Sequence, residues 1–137
     1  NFLSYILARQ EAQDAGFDEA ILLNTRGQVA EAATSNIFLV KDGALVTPSL
    51  ISGILPGITR DAVIEIAKRL KIRVVERPVK PAELLRADEI FLTNSLAELI
   101  PVIRIGRTRI GSGRPGPLTR LLHLSYQKRV ITETLFR

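Results

Sequence analysis

A mixed α/β domain is predicted by three features of this 137-residue sequence. The opening residues and two later stretches space their apolar side chains at helical intervals. Between them run short apolar segments broken by turn-forming residues, the pattern of hairpin strands. From residue 57 onward helical and strand patterns alternate. Length and apolar content suit one domain with its own core.

The elements follow in order. Phe2, Leu3, Ile6 and Leu7 share a helical face, and Ala8 to Gln13 propagate that helix until Gly16 caps it. Residues 20–23 and 28–31 read as a hairpin around Asn24-Thr25-Arg26-Gly27. Residues 35–40 and 44–47 form a second strand pair across Lys41-Asp42-Gly43, and the first four strands read as one antiparallel run. Residues 48–53 form a loop. Pro56-Gly57 then turns into a helix whose apolar face is Thr59, Ala62, Val63, Ile66, Ala67 and Leu70. Residues 72–76 alternate as a strand. Pro81 opens a short helix over 81–85. Residues 88–93 form a strand, 94–98 a loop, and 99–105 and 108–110 two short strands around Gly106. A flexible stretch, 111–117, leads to a last helix carrying Leu118, Leu122, Tyr126 and Val130.

Composition excludes several classes. No run of about twenty apolar residues exists, so no spanning helix is expected. The first residues lack the basic region and cleavage pattern of a signal peptide. The chain contains no Met, so it is expected to be part of a longer protein. It has no Cys, which removes disulfides, thiolate nucleophiles and Cys-based zinc and agrees with a cytoplasmic setting. The single His123, on a helix rich in Leu and Arg, is expected on the surface or in packing; no metal site is expected. The net charge is +5, with Arg104, Arg107, Arg109, Arg114 and Arg120 densest. The basic residues are spread and aromatic residues are few, which points to a solvated face or an anionic small molecule rather than nucleic acid.

Three segments carry more than packing. Glu31 ends an otherwise apolar strand, where a carboxylate is costly without a cationic or protonated partner; a solvent-facing Glu is the alternative. Gly57 lets the backbone come close to a ligand, and the first amides of its helix, at Ile58, Thr59 and Arg60, favour a phosphate. An ordinary water-capped helix start is the alternative there. Thr93-Asn94-Ser95-Leu96 offers hydroxyls and amides after a strand, where α/β proteins place ligands, or is simply a polar loop.

Taken as an ordered set, these segments resemble the C-terminal half of the class IV aminotransferase superfamily, the fold-type IV pyridoxal 5′-phosphate (PLP) enzymes. The resemblance runs through Ala8-Arg9-Gln10-Glu11-Ala12, Asp18-Glu19-Ala20, Glu31…Ser35-Asn36-Ile37-Phe38 and Gly53-Ile54-Leu55-Pro56-Gly57-Ile58-Thr59-Arg60. It continues through Ala87-Asp88-Glu89-Ile90-Phe91-Leu92-Thr93, Pro101-Val102 and Gly113-Arg114-Pro115-Gly116-Pro117. It implies the D-amino-acid aminotransferase-like fold, a mixed sheet or pseudo-barrel flanked by helices, with residues 1–137 as its single C-terminal PLP-binding domain. It implies PLP as cofactor and a homodimer. Glu31 looks like the partner of the pyridine nitrogen. Gly57, Ile58 and Thr59 look like the phosphate turn, Ser95 like a second phosphate hydroxyl, and Leu96 like a backbone position facing the substrate carboxylate. Asn36 and Arg60 look like supports. The family's Schiff-base lysine falls a few positions ahead of Asn1 and is not among Lys41, Lys68, Lys71, Lys80 and Lys128, and Phe2 stands where many transaminases have Tyr. The chain alone is therefore expected to be inactive.

Two reactions fit the resemblance: amino-group transfer between an amino acid and a 2-oxo acid, and pyruvate elimination from aminodeoxychorismate by a 4-amino-4-deoxychorismate lyase. The Thr93-Asn94-Ser95-Leu96 loop looks more like the lyases. A non-catalytic basic binding domain is the alternative of another class.

Overall fold

The computed structural model describes residues 2–135, with side chains for 3–133. Asn1, from which the lysine spacing is counted, lies outside the described residues, as does the Phe2 side chain. Helix α1 spans Phe2–Asp14 and closes with bonds from the Phe17 amide to the Ala12 carbonyl (2.9 Å) and from Gly16 to Gln13 (3.0 Å), the paired signature of a Schellman stop. Its apolar positions do not reach the core: Leu3 and Leu7 are each 60% exposed.

The expected run of four antiparallel strands divides. Strands β1 (Ile21–Leu23) and β2 (Val29–Ala32) pair only with each other. Strands β3 (Asn36–Lys41), β4 (Ala44–Thr47), β5 (Val74–Glu76), β6 (Glu89–Asn94) and β7 (Glu98–Val102) form a second sheet in the order β5-β4-β3-β6-β7. The break falls at residues 33–35, where Ala33 bonds back to Ala20. The β3–β4 hairpin turns on Asp42 (φ 51°) and Gly43 (φ 78°), two successive left-handed positions that match strand twist. β4 and β5 are parallel, joined through helix α2 (Ile58–Arg69), as a parallel pair requires. The sheet is therefore mixed.

β3 lies at its centre and sends alternate side chains to opposite faces. Ile37 and Leu39 join Val29, Val79, Ile90 and Leu92 in one core. Phe38 and Val40 join Phe91, Val63, Ile66 and Leu122 in the other. Helix α2 and the last helix, α4 (Pro117–Leu135), cover this second face. Phe38 and Phe91 are cross-strand partners and stack at 5.0 Å.

Smaller differences have local causes. The loop at 48–53 holds a single 3₁₀ turn, Leu50–Ser52. The stretch 99–105 breaks after Val102 into β8 (Arg104–Ile105), which pairs with β9 (Thr108–Arg109). Helix α3 (Pro81–Leu85) begins with the Glu83 carboxylate accepting the Lys80 amide at 2.8 Å; Lys80 has no side-chain acceptor to complete a capping box. No helix among the described residues is long and apolar enough to cross a membrane.

Candidate functional site

Glu31, next to last in β2, is 4% exposed. Its Oε1 accepts the Leu55 amide at 3.0 Å, which ties the strand to the loop before Gly57. Its Oε2 is buried with no partner of proper geometry among the described residues. The Tyr5 hydroxyl of α1 approaches the same carboxylate. Hydrogen bonding to Glu31, then burial and the Glu31 charge, raise the Tyr5 phenol above its usual range.

Asn36, the first residue of β3, braces the turn. Its Nδ2 donates to the Leu55 carbonyl at 3.0 Å, and a Cβ on Gly57 would run into its Oδ1. Gly57 is extended (φ −99°), so the position needs glycine for space rather than for backbone freedom. Gly57 caps α2 with no side-chain bond to the helix amides. Ile58 is 87% exposed at the helix mouth while Thr59 is 2% exposed, so the two face opposite ways. Arg60 is also 2% exposed. Its Nη2 bonds the Pro48 carbonyl (3.2 Å) and Glu76 Oε1 (2.8 Å), pinning α2 to the loop after β4 and to β5. The buried side of α2 is thus wider than expected, with Arg60 and Ile64 added, while Leu70 is 44% exposed.

The loop expected at 94–98 is a tight hairpin, because β6 runs through Asn94 and β7 starts at Glu98, its pairing partner. Asn94 Oδ1 accepts the Leu96 (3.0 Å) and Ala97 (2.7 Å) amides. Its Nδ2 donates to Ser35 Oγ at 2.9 Å. Ser95 and Leu96 are exposed, and the Leu96 amide is engaged by Asn94. Thr93 pairs with Asn36 across the sheet, and its Oγ1 is buried without a partner among the described residues.

The two candidate loops therefore meet at one place, the stretch from Glu31 to Asn36. Glu31 and Asn36 hold the Leu55–Gly57 side, and Ser35 and Asn36 hold the Thr93–Leu96 side. Sequence reasoning did not single out Tyr5 or Asn94. Asn94 carried a signal: Asn before Ser in a turn is the residue that bonds its own backbone two positions on. Tyr5 carried none, since its partner comes from another element.

The remaining candidates lie elsewhere. His123, a third exposed, contacts Glu98 Oε1 at 3.2 Å. Lys41, Lys68, Lys71, Lys80 and Lys128 are all exposed, in a hairpin, on helix surfaces or beside α3. The five arginines of the basic stretch are exposed as well. Arg104 stacks on Phe17 at 5.7 Å, and with Arg109 it borders a cavity of about 680 Å³ between the α1–β1 connection and β7–β9, whose lining does not include Glu31. The described residues hold no group of three His, Cys, Asp or Glu that could bind a metal.

Residues 1–105 match the amino-transferase class IV family. The chain belongs to that family. Among its relatives, a probable branched-chain-amino-acid aminotransferase of Aquifex aeolicus is 48% identical over 91% of this chain and 40% of that protein. The crystal structure of the Escherichia coli branched-chain amino acid aminotransferase superposes with a TM-score of 0.92 at 41% identity, over 93% of this chain and 42% of that one. The T.th. branched-chain amino acid aminotransferase, complexed with N-(5′-phosphopyridoxyl)-L-glutamate, gives 0.89 at 41% identity, over 93% and 42%. The class IV fold is thus shared closely, and the chain spans about two fifths of these relatives' lengths. None of these similarities supports the lyase or the non-catalytic basic domain.

Proposed function

We propose that this class IV chain is the C-terminal, PLP-binding domain of an aminotransferase that acts on branched-chain amino acids. The observation that carries the reading is Glu31: a buried carboxylate with one oxygen fixed by the Leu55 amide, the other without a partner of proper geometry among the described residues, and the Tyr5 hydroxyl beside it. A buried carboxylate oxygen needs a cation or a proton donor. A protonated pyridine nitrogen is both, so the residues present fit PLP. The substrate class is supported by the relatives' names.

When bound, PLP supplies an electron sink for the pair released as the amino acid's Cα loses its proton. Glu31 holds the pyridine proton. The Ile58 and Thr59 amides at the mouth of α2, with the Thr59 and Ser95 hydroxyls, hold the 5′-phosphate, and Gly57 keeps the approach open. Leu96 presents its backbone to the substrate carboxylate. Asn36 and Arg60 fix the turn and the helix that carry these donors. The amine that carries the Cα proton comes from a lysine outside these 137 residues. The working form is a cytoplasmic homodimer, which light scattering on the full-length protein checks.

The test uses the full-length protein loaded with PLP, given leucine, isoleucine or valine with 2-oxoglutarate, and followed by glutamate formation. Glu31→Gln lowers turnover by roughly 10²–10³-fold, the scale of losing one preorganised charge contact. A wild-type protein that neither binds PLP nor forms glutamate removes the reading.

A further inference from the structure

We infer that Tyr5 is a positioning residue for Glu31: its phenol holds the carboxylate in the charged form and so keeps the shared proton on the pyridine nitrogen. The inference rests on the aminotransferase reading above. Glu31 is 4% exposed, its Oε1 accepts the Leu55 amide at 3.0 Å, and its Oε2 is buried without a partner of proper geometry among the described residues. The Tyr5 hydroxyl stands beside this carboxylate. It comes from another element, and α1 is laid down so as to deliver it. Leu3, Ser4, Ile6 and Leu7 are exposed, whereas Tyr5, Ala8 and Ala12 are half-buried. Their i, i+3, i+7 spacing makes one stripe, the face on which the helix rests. Of these three side chains only Tyr5 carries a polar group. The chain's other tyrosine, Tyr126, packs against the second core.

The phenol acts through charge. A hydrogen bond to the ionised form of a carboxylate favours that form. Carboxylate oxygens accept more than one donor, so a phenol and a ring N–H can share Glu31. Where water is excluded, a proton between a carboxylate and a pyridine can rest on either atom, and resting on oxygen removes both buried charges. Tyr5 favours the opposite arrangement, with Glu31 ionised and the proton on nitrogen, where it makes the ring an electron sink. The hydrogen bond to Glu31, ahead of burial and the Glu31 charge, keeps the Tyr5 phenol above its usual range. At neutral pH Tyr5 is therefore a donor and never a second negative charge. The Leu55 amide and the Tyr5 hydroxyl also reach Glu31 from two separate elements, so the carboxylate is held from both.

The test uses the full-length protein loaded with PLP that is isotopically labelled at the ring nitrogen, whose NMR shift reports where the proton sits. Tyr5→Phe keeps the ring and loses only the hydroxyl. It is expected to move the nitrogen signal from the wild-type position toward that of unprotonated pyridine. The kcat with leucine and 2-oxoglutarate falls about tenfold, the scale of one hydrogen bond to a charged group, while the KM for leucine stays as in wild type. In the Glu31→Gln background Tyr5→Phe leaves the nitrogen signal where Glu31→Gln alone puts it, because the phenol acts through the carboxylate. A phenol that only anchors α1 gives a different pattern: Tyr5→Phe matches wild type in both signal and kcat, and only Tyr5→Ala, which also removes the packing, departs. That pattern overturns the inference and leaves the function intact. So does a Tyr5→Phe displacement of the signal that is equally large with Glu31 and with Gln at that position. A wild-type protein that fails to bind PLP overturns both.

Discussion

Gly57 and Asn36 show how much a single missing atom controls. A Cβ at 57 would meet the Asn36 carboxamide, which is committed to the Leu55 carbonyl. Gly57→Ala is expected to cost about 1–3 kcal/mol, since small-to-large changes in packed sites displace neighbours, and to weaken PLP binding. The Gly57→Ala/Asn36→Ala double variant removes the obstruction. Urea unfolding of the full-length protein should therefore find the two changes coupled by about 1 kcal/mol or more. Additive costs would show that the carboxamide moves aside freely. Arg60 is a second such residue. Its buried guanidinium reaches across three segments, so Arg60→Ala is expected to cost about 2–4 kcal/mol in the same experiment. Arg60→Lys recovers little, because an ammonium lacks the planar fork that serves Pro48 and Glu76 together. The burial of Arg60 was not legible in the sequence. A charged residue at the third helical position reads as exposed unless its partners are known, and those partners lie 12 and 16 residues away. Glu31 was legible because a carboxylate in an apolar strand is anomalous without any knowledge of the fold.

Helix ends in this domain borrow their caps from other elements. α4 starts at Pro117 after Gly116, with no Ser, Thr, Asp or Asn at the cap position. The cap comes from Glu89 on β6. Its oxygens accept the Leu118 amide (3.1 Å), the Thr119 amide (2.8 Å) and the Thr119 hydroxyl (2.8 Å), at the positive end of the helix. Glu89→Ala is expected to cost about 2–3 kcal/mol and to speed amide exchange in the first turn of α4. The short α3 depends on a charge. The Arg77 hydrogen bond, above all, holds the Glu83 carboxyl below its usual range, against burial that raises it, and the Lys80 amide assists. A depressed folded pKa means that Glu83 contributes stability above its unfolded pKa and loses it as pH falls through the folded value. Amide exchange in α3 should therefore accelerate on acidification from neutral pH through the carboxylate range. Glu83→Gln should show faster exchange at neutral pH and a smaller acid response; an unchanged acid response would assign the loss to another carboxylate.

For the whole molecule, element types and the two hairpin pairings could be read, and the pairing beyond the hairpins could not. Alternation marks a strand but does not say which neighbour it takes. Four strands in succession read as one meander, yet β3 turns from β2 to β4 and β6. β3 is apolar on both faces and is covered on both. The resulting domain has two cores, one on each face, and β3, β4 and β6 each supply both. A consequence is mechanical unity. Phe91 packs with Phe38 on the α2–α4 face, while its chain neighbours Ile90 and Leu92 lie in the other core. Phe91→Ala removes a fully buried ring and is expected to cost about 3–5 kcal/mol. The loss should not stay on one face. Displacement of β6 disturbs Ile90 and Leu92, so hydrogen exchange in the full-length protein should rise in α2 and also in β2, whose Val29 packs with them. Protection retained in β2 while α2 loosens would mean that the two faces unfold separately and that the Glu31 site, built on β2, is insulated from the helical layer.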